Sequence, residues 1–284
     1  MTAAQLLGGY DDYINGDAPA VAHVDLQVPI REVNGWRVTA DIHRPVGDGP
    51  FPVLVYLHGG AWIMGAPATH RRLAAELAQN GLLVVVVDYR RAPKHRFPGG
   101  VEDTIDAVGW VREHIADFGG DPATVLIGGD SAGANLAAAA IASGVKVQAA
   151  LLFYGIYDVH RALPTIAALV GEGENQLYLT SEDYRSITDD PRLHPERYPD
   201  TFPPTLVLTG DGDPAADESY SLAARLGHAG IDHQLVVLAD SPHGILQLPG
   251  APGHGQGLAA IHDFLQRRGL TRAAPTEDTT GGSP

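Results

Sequence analysis

Three residues of this chain have the types and the order needed to turn a hydroxyl into a nucleophile: Ser131, Asp213 and His243. A serine hydroxyl is weak until a base removes its proton, and an imidazole base works best when a carboxylate fixes its tautomer. Ser131 is the centre of Gly129-Asp-Ser-Ala-Gly133, a G-x-S-x-G sequence. Between a strand and a helix, that sequence puts the serine on a tight turn with its hydroxyl clear of the sheet. A Cβ at 129 or 133 would crowd the neighbouring backbone there. The plain alternative is a serine that only caps a helix, and the motif by itself does not choose.

The rest of the chain bears on the choice. Gly210-Asp-Gly-Asp-Pro214 and Ala239-Asp-Ser-Pro-His-Gly244 each follow an apolar run, so an acid and then a histidine arrive at later strand ends. Asp213 and Asp211 both fit the acid's place, with Asp217 and Asp240 behind them. A fourth piece, Leu57-His-Gly-Gly-Ala-Trp62, also follows an apolar run. Acyl transfer builds a tetrahedral oxyanion that needs preorganised N–H donors; Gly59, Gly60 and Ala132 are the expected ones. Trp62 and Asp130 flank them and are the candidate substrate contacts. Of the 13 histidines, His70, His228 and His262 fall on expected helices and read as solvated or partly packed.

These residues need a frame. Val24 to Ile30 and Trp36 to Ile42 alternate apolar with polar around Asn34-Gly35, an antiparallel hairpin signal. Buried strands are expected at Phe51–Leu57, Leu82–Asp88, Thr124–Ile127, Val147–Tyr154, Thr205–Thr209 and His233–Leu238. Helical spacing falls between them, at 69–79, 101–115, from Ala132 onward, at 217–228 and at 258–266. Alternation of strand and helix predicts a mostly parallel sheet with helices on both faces. Ligands then bind beyond the carboxyl ends of the strands. Residues 23–155 and 201–270 are the expected core. Residues 1–22 read as an N-terminal arm with weak helical content at Ala3–Leu7, and the long irregular stretch 156–200 as a binding insertion. The Thr/Pro/Gly/Ser-rich end, 271–284, is expected to be disordered.

A net charge of −15 argues against nucleic acid or an anionic membrane as partner. With zero cysteines, thiolate metal sites and disulfides are excluded, and no H-E-x-x-H occurs, so no metal and no cofactor is expected. Met1–Ile30 has neither Lys nor Arg nor an apolar run, and the expectation is a cytoplasmic protein. A homodimer is left open.

The chain resembles the hormone-sensitive-lipase-like carboxylesterases of the α/β-hydrolase superfamily. The resemblance rests on His58-Gly-Gly-Ala61, Asp88-Tyr-Arg-Arg-Ala-Pro93 with His95 and Phe97-Pro98, Gly129-Asp-Ser-Ala-Gly133, Asp213-Pro214 and His243-Gly244. It spans roughly residues 50–250. The resemblance implies an α/β-hydrolase fold, Ser131 as nucleophile, His243 as base, Asp213 as its orienter, and a small cap built from the N-terminal arm and the 156–200 insertion. Ala61 stands where that family usually has a third glycine, and Ala61-Trp62 is similar to the related formamidases. The expected activity is hydrolysis of small, fairly apolar carboxylic esters. An amidase or formamidase with the same three residues is the nearest alternative, and a binding protein on a hydrolase scaffold is a more distant one.

Overall fold

The computed structural model describes residues 13–162 and 178–271. The helix expected at Ala3–Leu7, the middle of the 156–200 insertion and the tail beyond residue 271 lie outside the described residues. Eight strands form one sheet: β1 (His23–Val33), β2 (Trp36–Arg44), β3 (Phe51–Leu57), β4 (Leu83–Asp88), β5 (Gly120–Asp130), β6 (Ala150–Phe153), β7 (Thr205–Gly210) and β8 (His233–Leu238). Their order is β1-β2-β4-β3-β5-β6-β7-β8. The β1–β2 and β2–β4 pairs are antiparallel and the remaining pairs parallel. The main helices are α1 (Arg71–Ala78), α2 (Gly99–His114), α3 (Ala132–Ala142), α4 (Ser181–Ser186), α5 (Ala216–His228) and α6 (His254–Arg267).

The strand sequences dictate a two-sided core. Side chains alternate faces along a strand, and β3 and β4 are apolar at every buried position. Val53, Val55 and Leu57, with Leu83, Val85 and Val87, join the layer containing α2, α3 and α5. Leu54 and Tyr56, with Val84 and Val86, join the opposite layer, which includes Leu73 and Leu77 of α1 and Ile261 and Phe264 of α6. Full burial of each such aliphatic chain stabilises by roughly 1.5–3 kcal/mol, and a one-residue slip would exchange the two faces. Asn34 (φ 50°) and Gly35 (φ 72°) make the left-handed turn that joins β1 to β2.

Several boundaries differ from the sequence expectation. In β1 the alternation fails at Gln27, which has a positive φ of 54° and lies within the register shift between Asp25 and Val28, so Leu26 is 58% exposed. A 3-10 turn, Pro67–His70, precedes α1. β6 is shorter than expected, because the ladder with β5 begins only at Ile127–Ala150 and Tyr154 leaves with φ 38°. α6 starts at His254, four residues before the expected Leu258, after a left-handed Gly253. None of the described helices is long and apolar enough to cross a membrane.

Candidate active site

Parallel pairing brings the carboxyl ends of β3, β5, β6, β7 and β8 to one edge of the sheet, in register through Leu57–Gly129, Gly129–Leu152, Leu152–Val207 and Gly210–Leu238. Each chemically interesting loop leaves that edge. β5 ends at Asp130, Ser131 turns the chain with φ 52° and ψ −117°, and α3 begins at Ala132. A side chain in that backbone region costs on the order of 1–3 kcal/mol. Here it is held by the Ser131 amide donating to Phe153 O (2.9 Å) and by Asn135 N donating to Ser131 O (3.2 Å). Gly133 permits the turn, since a Cβ there would run into the carbonyl of Leu57, and one on Gly129 would meet the same oxygen at 2.5 Å. The small residues of α3 let the helix lie this close to the sheet.

The sheet edge assembles Ser131, His243 and Asp213. His243 Nε2 is 2.9 Å from Ser131 Oγ, and its Nδ1 is 2.8 Å from Asp213 Oδ2. Asp213 is buried, and its other oxygen accepts the amide of Ala215 at 2.7 Å, which fixes the carboxylate plane. Asp211 is exposed, its amide bonded to Leu238 O. Asp217 and Asp240 are exposed as well. Tyr154 packs edge-on to the imidazole, with centroids 5.1 Å apart.

The loop after β3 departs from expectation at one position. The amide of Gly59 donates to Asp130 Oδ1 at 3.0 Å, so it is not free to meet an oxyanion. Among the described residues the amides of Gly60, Ala61 and Ala132 have no acceptor. The loop turns sharply to present the first two: Ala61 and Trp62 have φ 50° and 61°, and Ile63 and Met64 amides both donate to Gly60 O. Tyr89 OH donates to His58 O (2.7 Å), and His58 Nδ1–H donates to Gly59 O (2.9 Å). Burial, then the neighbouring His70, holds His58 well below the ordinary histidine value and therefore neutral.

Asp130 is the hub beneath this loop. Its Oδ1 accepts from Tyr56 OH at 2.8 Å and lies 3.2 Å from His70 Nε2, besides taking the Gly59 amide. His70, expected to be solvated or partly packed, is 3% exposed and lines the site. Burial lowers its pKa, with Asp130 opposing. Burial and then Asp130 push the Tyr56 hydroxyl far up, so it stays a donor.

A pocket of about 570 Å³ opens over Ser131 and His243. Ile14 comes from the N-terminal arm, Ile156 and Ala162 from the insertion, and Met64, Pro214 and Gln247 from the loops. Arg161 and Glu218 close one side as an ion pair at 2.5 Å. The two expected substrate contacts both border the pocket. Asp130, however, has its Oδ1 engaged by the Tyr56 hydroxyl and the Gly59 amide, with His70 Nε2 3.2 Å away. The Trp62 ring is 1% exposed, stacked on Tyr178 (4.6 Å, 9°) with its N–H on Asn135 Oδ1 (3.1 Å). Both form part of the pocket wall. Among the described residues no group of three or more His, Cys, Asp or Glu is arranged to hold a metal ion.

Residues 54–247 match the model of a protein family with the alpha/beta hydrolase fold. The carboxylesterase NlhH of Mycobacterium tuberculosis is 31% identical over 243 residues, covering 78% of this chain and 76% of its own length. The carboxylic ester hydrolase LipN of the same organism is 34% identical over 259 residues, 81% of this chain and 68% of LipN. Among solved structures, a Pyrobaculum calidifontis esterase superimposes with a TM-score of 0.77 at 25% identity, covering 95% of this chain and 94% of that one.

Proposed function

The chain belongs to the hormone-sensitive-lipase-like carboxylesterases of the α/β-hydrolase superfamily, and from that membership and the site's geometry we infer that it is a serine hydrolase cleaving carboxylic esters through an acyl-enzyme on Ser131. The observation that carries the residue assignment is the continuous hydrogen-bonded line Asp213–His243–Ser131, at 2.8 and 2.9 Å.

The chemistry follows from that line. Asp213 accepts Nδ1–H, which leaves Nε2 with a lone pair directed at the Ser131 hydroxyl. As Ser131 Oγ attacks the ester carbonyl, its proton passes to His243 Nε2. The carbonyl oxygen becomes an oxyanion, met by the unengaged amides of Gly60, Ala61 and Ala132. His243 then gives its proton to the departing alkoxide, and an alcohol leaves. Water deprotonated by His243 repeats the sequence on the acyl-enzyme and releases the acid. Gly59 takes no direct part: through Asp130 it holds the loop that carries the other two donors.

The pocket favours small, fairly apolar acyl and alcohol groups. Its volume lies within the range of small-molecule sites, and Ile14, Met64, Ile156 and Ala162 line it. Ile14 of the N-terminal arm and Ile156 and Ala162 of the insertion line it, which supports reading the described parts of these two segments as a cap. A panel of p-nitrophenyl esters from acetate upward, set against the matching anilides, tests the reading. Short esters should turn over fastest and anilides slowly. Preference for anilides over esters would overturn it.

A further inference from the structure

A second histidine contacts the loop that carries His243. His254, the first residue of α6, has Nδ1 3.1 Å from Ile245 O and Nε2 3.2 Å from Glu76 Oε1. Ile245 is two residues beyond His243, separated from it only by Gly244, whose left-handed φ of 80° is surrounded by open space. The loop on the other side of His243 is already fixed, because Ser241 Oγ lies within hydrogen-bond distance of both Ala239 O and Pro252 O. The Ile245 carbonyl accepts the Leu248 amide at 3.3 Å and faces the side chain of His254.

A carbonyl oxygen and a carboxylate both accept only. An imidazole bonded to an acceptor at each nitrogen needs a proton on each, which makes it the imidazolium. The alternative is a protonated Glu76. That fits poorly: Oε1 already accepts from the permanently charged Arg72 (Nε, 2.9 Å), and Oε2 is buried with no partner to receive a proton's hydrogen bond. His243 differs in kind, because the hydroxyl of Ser131 can donate to it.

We propose that His254 is a positioning residue for His243, acting as a buried cation that links Ile245 to Glu76 and sets the alkaline limit of the hydrolase. The proposal rests on His243 being the base. The charged groups facing His254 are Glu76 and, behind it, Arg72, both on α1; the loop after β8 contributes the Ile245 carbonyl. The Glu76 hydrogen bond raises the pKa of His254 above the ordinary histidine value, in the direction this role requires. Once the proton is lost, the Nε2–H stays with the carboxylate, and the lone pairs of Nδ1 and of Ile245 O face each other across 3.1 Å. The bond becomes a repulsion, Gly244 lets the chain yield, and His243 loses its alignment with Ser131.

The test is kcat/KM for p-nitrophenyl acetate from pH 5 to 10 at constant ionic strength, using the full chain and the Glu76→Gln and His254→Ala variants. The wild type should lose activity on the alkaline side. Removing the anion in Glu76→Gln lowers the imidazole's affinity for its proton, so that limb should move to lower pH by about one unit. His254→Ala should lack the limb and run about ten- to a hundred-fold slower in kcat, the scale set by small misplacements of catalytic groups. The acid limb, which belongs to His243, should stay in place in both. An alkaline limb that is absent from the wild type, or unmoved in both variants, overturns the proposal. If neither variant folds, nitrogen NMR of the wild-type imidazoles decides: both ring nitrogens of His254 protonated at pH 7 upholds it, and one overturns it. Failure of the serine-hydrolase reading would show instead in the acid limb and in reactivity at Ser131.

Discussion

The Gly59 amide and the Asp130 carboxylate are joined across 71 residues by a 3.0 Å hydrogen bond, so the loop after β3 and the turn after β5 hold one another. In the proposed mechanism the bond makes Asp130 a support for the oxyanion donors. Replacing it with alanine strands the Gly59 amide and the Tyr56 hydroxyl, and opens space beside Gly59. Asp130→Ala should lower kcat by about 10²–10³-fold, the effect of losing one oxyanion donor, with a much smaller change in KM. Steady-state kinetics on a short ester checks this, and a change confined to KM would contradict it.

Asp213 and Asp211 stand two residues apart with different surroundings. Asp213 is buried against His243, whereas Asp211 is exposed. Asp213→Asn should reduce kcat by about 10⁴-fold, because an amide in that place favours the wrong tautomer. Asp211→Asn should remain near wild type. The reverse ranking in the two variants' kcat would transfer the orienting role to Asp211.

The Trp62 indole joins the oxyanion loop to α3 through Asn135 and stacks on Tyr178 from the insertion. Trp62→Phe keeps much of the stack but leaves the fully buried Asn135 Oδ1 without its donor. An unsatisfied buried acceptor costs about 1–3 kcal/mol. The urea midpoint should fall accordingly, and an unchanged midpoint would show that the bond adds nothing.

Stability should depend on pH in two opposed ways. His58 and His70 are held below the ordinary histidine value mainly by burial. As the pH falls through that value, about 6.5, the unfolded chain binds protons that the folded one refuses, and stability declines. His254 has a raised value, set first by its hydrogen bond to Glu76. Its contribution is complete below the unfolded value and is lost as the pH rises through the folded one. Urea midpoints should therefore peak near the ordinary histidine range, and the alkaline decline should shrink in His254→Ala. A wild-type midpoint that climbs steadily to pH 9 would contradict this.

Much of the frame is readable from sequence because buried parallel strands are continuous apolar runs and helices keep their own spacing. Ser131, Asp213 and His243 are readable because each follows such a run, next to residues that permit a turn. The supporting contacts are not. Glu76 and His254 are 178 residues apart, and Tyr56, His70 and Asp130 come from three separate elements. Helical spacing gave His70 a bland reading because it could not show that the turn holding it packs against the end of β5. Gly59 and Gly60 look equivalent in a motif, and only the position of Asp130 distinguishes the engaged amide from the free one.

Covalent capture tests the central claim most directly. After incubation with a p-nitrophenyl phosphonate, peptide mass spectrometry should find one adduct per chain, on Ser131, with esterase activity lost in proportion. His243→Ala should suppress that labelling, since the hydroxyl would lack its base. An adduct on another serine, or full ester turnover in a protein fully labelled at Ser131, would contradict the account.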